Sequence, residues 1–561
     1  MNNRRVKKSV TTSLILLLTS SMLLAACSNA SKTEDAGKTG AKDNTTTTTP
    51  KGPKPKIKVS VYDRNNVPEG EGKITDNRWT KWINENAPVE VEFVPVQRNN
   101  SPEKWNVLFA SGEAPDLIFE YSEAYMKELA GKGQLMPLDD AIEKYAPTYK
   151  KILADNPILK TKTTFNDKTY FFGRMFPEMV TNHYLMVRKD WLDKLKLPMP
   201  NTAEEFYQVA KAFTEQDPDG NGKKDTYGST LTDVDFFYGV GDITSPGSGA
   251  AASINMFHLQ NDQFVHSWDR LQASQVLKKR LYDAGAVNKD FFADKNGEMA
   301  KQDWVNGKLG MYIGDNLEAV KGFSTYDTFS KNNPNADVAL LPFPKTEFGQ
   351  FAPPGATPFQ LMLAVNATSK NVEAVMKYVE WMLKDETYTT LKYGMEGVNY
   401  KLDAAGCPKP IDTDKNKKEK DWNADFLVIN QVNKLSKCES FTQSILDVSK
   451  PLDKKYAELI SQGRKFYATP EHPFFNDITL PLALPDDLNV IDNSVKTTLI
   501  NIFTKAVVSG ATYTNEQAMK DAKDAWEKAG GKKIDDFYGK AYTDYKNKGV
   551  IFTKDYYKYV K

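Results

Sequence analysis

Strand-like and helix-like hydrophobic patterns alternate along the first part of this chain. Apolar residues alternate with polar ones over 57–61 and again over 89–93, with a helical pattern over 79–86 between them. A second helix is predicted over 101–112, which opens on a Ser-Pro pair and ends on Gly, and the apolar segment 117–119 follows it. Repeated alternation of this kind predicts an α/β fold with mostly parallel, doubly wound sheets.

The remainder of the chain predicts a second α/β unit and then a helix-rich C-terminal part. Residues 182–187 are strand-like, and Thr202 with Glu205 forms a capping-box pattern ahead of an amphipathic helix. Short apolar segments follow at 309–313, 338–341 and 359–365. Helix predominates from about 372 onward. The segment 57–561 is long enough for two domains or more, at roughly 100 to 200 residues each.

The N-terminus has the layout of a secretory signal. Four basic residues lie within 4–8, ahead of an apolar run over 14–24 that is too short to cross roughly 30 Å of hydrocarbon. The run ends in Leu-Ala-Ala-Cys at 24–27, which resembles the lipobox of bacterial lipoproteins. We therefore predict a signal peptide over 1–26 and lipidation of Cys27. The alternative is an ordinary cleaved signal in which this cysteine is incidental.

A polar segment rich in Thr, Lys, Gly, Asp and Pro follows the predicted lipidation site. It has too little apolar surface to offset its ordering entropy, so we predict a lipidated cysteine and a disordered tether over 27–56. Acyl chains on the cysteine hold such a protein on the membrane without spanning it. We expect a protein anchored by lipid at the extracellular face of the cytoplasmic membrane.

The overall charge gives no sign of a nucleic-acid partner. The sequence holds 74 Lys and Arg against 73 Asp and Glu, a formal net charge of +1, whereas nucleic-acid binding relies on a clustered basic face. Its 26 Tyr, 29 Phe and 9 Trp are more informative, because planar rings stack well on the apolar faces of sugars, although most serve the core. We expect a monomer that binds a small polar ligand.

Several short motifs resemble those of a known family. The segments at 109–118 (FASGEAPDLI), 307–311 (GKLGM) and 341–344 (LPFP) are similar to the extracellular solute-binding proteins of carbohydrate ABC importers. The segments at 187–192 (VRKDWL) and 393–397 (YGMEG) resemble, more narrowly, the Firmicutes lipoproteins related to alginate-binding proteins. The likeness covers nearly the whole chain after the tether.

This resemblance implies a two-lobed, periplasmic-binding-protein-like fold. Such proteins have α/β lobes joined by a multi-strand hinge that closes over a ligand in the cleft. The resemblance implies an N-lobe of 57–175 plus 313–360 and a C-lobe of 176–312 plus 361–561. It also implies a carbohydrate ligand, most simply an oligosaccharide, which the protein delivers to the permease subunits of an ABC importer.

The sharpest chemical motif is a calcium-loop pattern at 217–225. Oxygen-bearing side chains occupy loop positions 1, 3, 5 and 9, a Gly stands at position 6, and position 7 offers its backbone carbonyl. The predicted ligands of a structural Ca²⁺ are Asp217, Asp219, Asn221, Lys223 and Asp225.

Two positions depart from the calcium-binding patterns. An EF-hand carries a bidentate Glu at position 12, where this chain has Gly228. In the alginate-binding relatives a further acidic ligand follows the Asp at position 9, and here that position is Thr226. The alternative to a metal site is a plain turn, which Asp, Asn and Gly also favour.

Ligands of open α/β sheets lie outside the carboxyl ends of the strands. Carboxylates and amides there can pair with sugar hydroxyls, and a tyrosine ring can stack on a sugar. This rule selects the candidates Tyr62, Asp63, Arg64, Glu120, Tyr121, Asp315 and Asn316. Tyr393, Glu396 and Tyr400, in the family-like segment, are weaker candidates from the second lobe, and Trp268 is weaker still. For each, the alternative is a solvated loop residue, a cap or a core side chain.

Once Cys27 is lipidated, two cysteines remain in a chain exported to an oxidising compartment. Cys407 and Cys438 can form one disulfide or stay as two separate thiols, and the sequence does not decide between these.

We predict that the protein is not an enzyme. The sequence shows no Gly-x-Ser-x-Gly elbow and no phosphate-binding loop. Its four histidines form no metal-ligand pair at helical spacing: His183, His258, His266 and His472. The alternatives are a secreted carbohydrate-active hydrolase, which needs two carboxylates roughly 5 to 9.5 Å apart across a bond, and a lipoprotein that binds ligand for a sensory partner.

Overall fold

The structure is a computed structural model of the chain. It describes residues 53–175, 180–181, 183–231, 234–241, 256–294, 297–314, 316–353, 355–356, 359–430, 438, 440, 442, 445–466, 472–473 and 484–552. The predicted signal peptide, Cys27 and the tether up to residue 52 lie outside this part. Within it, no helix combines the length and the apolar character needed to cross a bilayer.

The first sheet has five strands. In spatial order they are Glu90–Gln97, Lys56–Asp63, Leu117–Glu120, Phe359–Val365 and Phe172–Met175. The first three run parallel, and Phe359–Val365 is antiparallel to both of its neighbours. The sheet is therefore mixed, because the strand that returns from later in the chain enters it in the opposite direction.

Helices cover this sheet and close the first core. They are Arg78–Asn86, Ser101–Ser111, Glu123–Gly131, Asp139–Tyr145, Pro147–Asp155, Pro157–Thr163, Val372–Met382 and Asp385–Tyr393. The predicted helix after 101 starts with Pro near its N-terminus and ends at Gly112 in the left-handed conformation, as the Ser-Pro and Gly signals indicate. We call this sheet and its helices the first lobe.

The second sheet is antiparallel, with the strand order Met311–Gly314, Tyr184–Arg188, Val338–Leu341. Its helices are Lys189–Leu195, Ala203–Glu215, Trp268–Asp283, Glu298–Val305, Val320–Asn332, Pro451–Phe466, Asp486–Val508, Asn515–Ala529 and Lys532–Asn547. The capping box of Thr202 and Glu205 is confirmed at the start of Ala203–Glu215. These elements form the second lobe, and its last four helices bear out the predicted helix-rich C-terminal part.

Smaller elements complete the described chain. Three hairpins pair Thr164–Phe165 with Lys168–Thr169, Phe257–Gln260 with Gln263–His266, and Tyr400–Leu402 with Pro408–Pro410. A helix at Thr413–Glu419 and short 3-10 helices at Arg98–Asn100, Val234–Tyr238, Phe291–Ala293, Ala424–Phe426 and Gly510–Thr512 occupy the connections.

Followed along its described residues, the chain passes from one core to the other three times. The first core holds Met175 and Met362 and runs on to Cys438, whereas Tyr184, Phe351 and Leu446 belong to the cores of the second lobe. Two of the crossings pair as the short antiparallel strands Val180–Thr181 and Gly355–Ala356. Paired crossing strands form the multi-strand hinge that the resemblance implies.

The lobe composition differs from the predicted division. We predicted that 313–360 returns to the N-lobe and that 361–561 belongs to the C-lobe. Val338–Leu341 pairs instead with a strand of the second sheet, and Phe359–Val365 pairs with the first. An apolar pattern identifies a strand but does not identify its partner, because pairing is a long-range property.

Candidate functional site

Two tyrosines stack at the carboxyl edge of the first sheet. Tyr62 and Tyr121 have ring centroids 5.8 Å apart and an interplanar angle of 8°, and Phe119 makes an edge contact with Tyr62 at 4.8 Å. The stack forms because Lys56–Asp63 and Leu117–Glu120 are neighbouring parallel strands whose carboxyl ends lie side by side. Tyr62 is buried and Tyr121 is half-buried, so Tyr121 is the ring that can meet a ligand.

Two arginines lie against this stack. Arg98 directly follows the strand Glu90–Gln97, and its guanidinium carbon is 4.8 Å from the ring centroid of Tyr121 and 5.2 Å from that of Tyr62. The guanidinium carbon of Arg64 is 5.9 Å from the ring centroid of Tyr62. The carboxyl ends of all three parallel strands therefore contribute to one cluster. We call these four side chains, together with the carboxylates of Asp63, Glu120 and Asp425 beside them, the tyrosine cluster.

Arg64 is held by an ion pair with Asp425. Its Nε and one terminal nitrogen lie 2.5 and 2.9 Å from the two carboxylate oxygens. Asp425 lies on the short helix Ala424–Phe426 and its side chain is buried. The hydrogen bonds to Asp425 raise the pKa of Arg64, outweighing the opposite effect of burial. The positive charge of Arg64 is therefore neutralised by the negative charge of Asp425 within the cluster.

Glu120 organises the loop that follows its strand. One carboxylate oxygen accepts hydrogen bonds from the backbone N–H groups of Tyr121 and Ser122 at 2.6 and 3.0 Å, and the other accepts from Trp105 Nε1 at 3.3 Å. Glu120 is only 2% exposed. Burial of the Tyr62 hydroxyl, together with the negative charge of Glu120, raises the pKa of Tyr62. The geometry gives Glu120 a positioning role beneath the tyrosine stack.

Two further candidates also fix local loops. The carboxylate of Asp63 accepts from the backbone N–H of Asn65 at 2.9 Å and from Gln97 Nε2 at 3.1 Å. In the second lobe, Asn316 Oδ1 accepts from the backbone N–H of Glu318 at 2.8 Å. The candidate Asp315 lies outside the described residues.

The weaker candidates do not join the tyrosine cluster. Tyr393 is buried in the core of the first lobe, not the second, where its ring packs near Tyr400 at 6.0 Å. Glu396 is exposed on the turn between them. Trp268 stacks on His266 in the second lobe with ring centroids 3.8 Å apart. The structure gives these tyrosines and Trp268 packing contacts within their own lobes.

The predicted calcium loop folds its side chains inward. Asn221 Nδ2 donates to Asp219 at 2.7 Å and to Asp225 at 3.1 Å, and the backbone N–H of Gly222 donates to Asp217 at 3.0 Å. Hydrogen bonding to Asp219 lowers the pKa of Asp217, while burial and the neighbouring Asp217 raise the pKa of Asp219. Three carboxylates thus surround one amide, an oxygen-rich arrangement of the kind that hard cations favour.

The structure also accounts for the two departures from the calcium patterns. A Cβ at Gly228 would overlap the backbone of Ala210, so no side chain fits at position 12. Thr226 is buried and its hydroxyl donates to the carbonyl of Phe213 at 2.8 Å, away from the loop. Among the described residues, which include this loop, no group of three or more Asp, Glu, His or Cys side chains is placed so that it could hold a metal ion.

Cys407 and Cys438 are joined by a disulfide, with Cα atoms 5.4 Å apart. Both are buried in the core of the first lobe. The bond ties Cys407, in the turn of the hairpin formed by Tyr400–Leu402 and Pro408–Pro410, to Cys438, which follows 31 residues later.

Sequence reasoning missed two members of the tyrosine cluster. Arg98 follows the strand Glu90–Gln97 directly, so the strand-end rule that selected Tyr62 and Tyr121 would have found it. Asp425 lies 361 residues beyond Arg64 in the chain, and no local pattern marks it as a partner.

Comparisons with known proteins fit this architecture. A relative from Bacillus subtilis, the polygalacturonan/rhamnogalacturonan-binding protein YtcQ, is 25% identical over 475 residues, which is 82% of this chain and 86% of that protein. The Streptococcus pneumoniae ABC-transporter substrate-binding protein FusA in complex with kestose superposes with a TM-score of 0.64 at 20% identity, over 88% of this chain and 100% of that one.

The alginate-binding protein AlgQ2, in a structure without calcium ion, has a similar fold. Its TM-score is 0.62 at 18% identity, over 88% of this chain and 98% of that one. The family described as bacterial extracellular solute-binding proteins matches residues 72–389, more than half of the sequence. The chain therefore belongs to the bacterial extracellular solute-binding proteins.

Proposed function

We propose that this protein captures an oligosaccharide and delivers it to the permease of an ABC importer. The observation that carries the proposal is the stack of Tyr62 and Tyr121 with Arg98 against it, at the carboxyl edge of the first sheet. A half-buried aromatic ring with charged side chains around it is the usual composition of a sugar subsite, because the ring covers the apolar face of the sugar while polar groups bind its hydroxyls.

The relatives support a saccharide ligand. YtcQ is named for the polygalacturonan and rhamnogalacturonan that it binds, and the FusA structure contains kestose. These names describe substrate binding and not turnover, so we propose a binding protein and not a hydrolase.

Capture requires the two lobes to move relative to each other. We propose that ligand at the tyrosine cluster also contacts the second lobe and shifts an equilibrium between open and closed forms, with the paired strands Val180–Thr181 and Gly355–Ala356 as part of the hinge. A ligand can cause this shift only by binding the closed form more tightly. The closed form then docks on the permease.

We further propose that lipid on Cys27 anchors the protein at the extracellular face of the membrane. The support is the lipobox-like segment 24–27. The test is metabolic labelling with a palmitate analogue in a Gram-positive host, where the natural chain should be labelled and membrane-bound. Cys27→Ser should remove the label and release the protein into the medium. A labelled Cys27→Ser variant would contradict the anchor.

Calcium is proposed as a structural ligand of the loop at 217–225. The side chains of Asp217, Asp219, Asn221 and Asp225 and the carbonyl of Lys223 would supply oxygen ligands. Water would complete the shell, since position 12 has no room for a side chain. Bound calcium would neutralise the loop carboxylates and hold the loop at the end of the helix Ala203–Glu215.

The proposed function is tested by a thermal-shift screen of the secreted chain, with neutral and acidic oligosaccharides. At 100 times its Kd a specific ligand should stabilise the protein by about 2.7 kcal/mol, which raises the melting temperature. The ligand should be recovered intact after long incubation. Cleavage of the ligand would favour the hydrolase alternative, and the absence of any shift across the screen would contradict saccharide capture. Genes for permease subunits beside this one would favour transport, whereas a lone sensor-kinase gene would favour sensing.

A further inference from the structure

The carboxylates of the tyrosine cluster are already engaged by the protein. Glu120 accepts three N–H hydrogen bonds, Asp63 accepts from a backbone N–H and from Gln97, and Asp425 is paired with Arg64. These groups hold the edge of the sheet in shape, and their charges are satisfied without a ligand.

Arg98 differs from Arg64 in this respect. Within the described part of the chain, Arg98 makes no ion pair with a carboxylate, and its guanidinium lies against the rings of Tyr62 and Tyr121. The guanidinium carbon lies beside both rings, 4.8 and 5.2 Å from their centroids, and no carboxylate of the described residues forms an ion pair with it. A planar set of N–H donors matches the two oxygens of a carboxylate.

The local backbone adds to the positive potential around Arg98. The 11-residue helix Ser101–Ser111 begins three residues later, and its N-cap, Asn100, makes no side-chain capping hydrogen bond. The first N–H groups of a helix carry partial positive charge and favour anions. This helix end reinforces the arginine at the same edge of the sheet but does not carry the argument alone.

We propose that Arg98 makes this protein selective for acidic saccharides, by binding the carboxylate of a uronic acid unit whose ring lies against Tyr121. The inference rests on the proposed function and names its substrate class. A neutral sugar can occupy the face of Tyr121 but leaves the N–H edge of Arg98 without an anionic partner. The acidic sugar gains a charge-assisted, two-point contact.

The test compares each uronate oligomer with its own methyl ester, which keeps the sugar and removes the charge. Calorimetric titrations of the secreted chain, with Ca²⁺ present, would use trimers of galacturonate, glucuronate and mannuronate, their methyl esters, and the corresponding neutral trimers. We expect at least one acid to bind about 10- to 100-fold more tightly than its ester. That preference should weaken as salt is raised.

Variants then assign the preference to Arg98. Arg98→Gln should weaken binding of the acid about 10- to 100-fold while the ester keeps its affinity within about threefold. Arg98→Lys, which keeps the charge and loses the planar fork, should fall between the two. Arg78→Gln is the matched control, because Arg78 lies in the same lobe but is paired with Glu71, and it should retain the preference for the acid.

The outcomes separate this inference from the proposed function. Binding of neutral trimers or esters as tightly as the acids would overturn selectivity by charge and leave saccharide capture intact. An acid preference that survives Arg98→Gln would overturn the role of Arg98. If no saccharide binds, saccharide capture fails and the inference fails with it. Unchanged affinity for the ester shows that a variant is folded. If Arg98→Gln does not fold, the same comparison of acid and ester is made with Arg98→Lys.

Discussion

Gly228 lies so close to Ala210 that a Cβ at position 228 would overlap the Ala210 backbone. Position 12 of the calcium loop is therefore closed by the helix Ala203–Glu215, and the missing EF-hand glutamate is a consequence of packing. We predict that Gly228→Glu lowers the free energy of unfolding by more than about 2 kcal/mol and does not tighten calcium binding. Denaturant unfolding and calcium titration check this. Tighter calcium binding with unchanged stability would show that the helix can move aside.

A substitution of Asp219 tests separately whether the loop at 217–225 binds calcium. Three carboxylates lie around Asn221, so their repulsion destabilises the loop when no cation is bound. We predict that EDTA lowers the melting temperature of the natural chain and that Ca²⁺ restores it. In Asp219→Asn the response to Ca²⁺ should largely disappear, and stability in EDTA should stay the same or rise.

The control for Asp219→Asn is Asp414→Asn, which changes an exposed carboxylate on the helix Thr413–Glu419, away from the loop in sequence. This variant should respond to EDTA and Ca²⁺ as the natural chain does. An equal Ca²⁺ response in Asp219→Asn and Asp414→Asn would mean that the loop is a plain turn.

Local chemistry made the strand ends predictable, and long-range pairing did not. Tyr62, Glu120 and Tyr121 were found because parallel strands place their carboxyl ends together. Their roles differ: Glu120 is occupied by three N–H donors, and only the structure could show that. No sequence pattern predicts the Arg64–Asp425 pair, because its two members lie 361 residues apart.

The same distinction explains the fold. The capping box of Thr202 and Glu205 is a contact between neighbours in the chain, so its pattern predicted it. The segments 338–341 and 359–365 both have apolar patterns typical of strands, yet they join different sheets. Which sheet each one enters depends on the whole packed core, and no window of sequence contains that information.

Two histidines should make the second lobe sensitive to acid: His258, which is buried, and His266, whose two ring nitrogens are buried. Burial lowers the pKa of His258 to about 4 and that of His266 to about 3. Because both values lie below about 6.5, the unfolded chain binds protons that the folded chain does not. Stability is therefore full above about pH 6.5 and is lost as pH falls toward 4 to 3. From pH 7 to pH 5 His266 contributes a loss of about 2 kcal/mol.

The variant His266→Phe tests whether His266 lowers the stability of the protein as the pH falls. The phenyl ring can keep the stacking on Trp268, where the centroids are 3.8 Å apart, and it cannot take up a proton. At pH 7 we expect His266→Phe to have a free energy of unfolding similar to that of the natural chain. Between pH 7 and pH 5 the variant should lose about 2 kcal/mol less than the natural chain does. Urea unfolding at both pH values measures it, and parallel losses in the two proteins would contradict the assignment to His266.

The disulfide between Cys407 and Cys438 closes a loop with a sequence separation of 31 residues. Cross-linking reduces the entropy of the unfolded chain, so replacing both cysteines with serine should lower the free energy of unfolding by about 3 to 4 kcal/mol. Urea unfolding measures the loss. A reducing agent should destabilise the natural chain by a similar amount and leave the double variant unchanged. Equal destabilisation of the natural chain and the double variant by the reducing agent would contradict a stabilising role of the disulfide.

Asp235 and Lys278 form a fully buried ion pair in the second lobe, with Lys278 Nζ 2.6 Å from a carboxylate oxygen. The hydroxyl of Ser274 donates to the other carboxylate oxygen. Lys278→Met removes the positively charged partner of the buried Asp235, so this change alone should lower the free energy of unfolding by about 3 to 5 kcal/mol. Lys278→Met with Asp235→Asn should lower the free energy of unfolding less than Lys278→Met alone, because the double change removes both charges of the pair. Urea unfolding of the natural chain, both single variants and the double variant gives the coupling energy. Additive losses would mean that water reaches the pair and that its two charges are solvated independently.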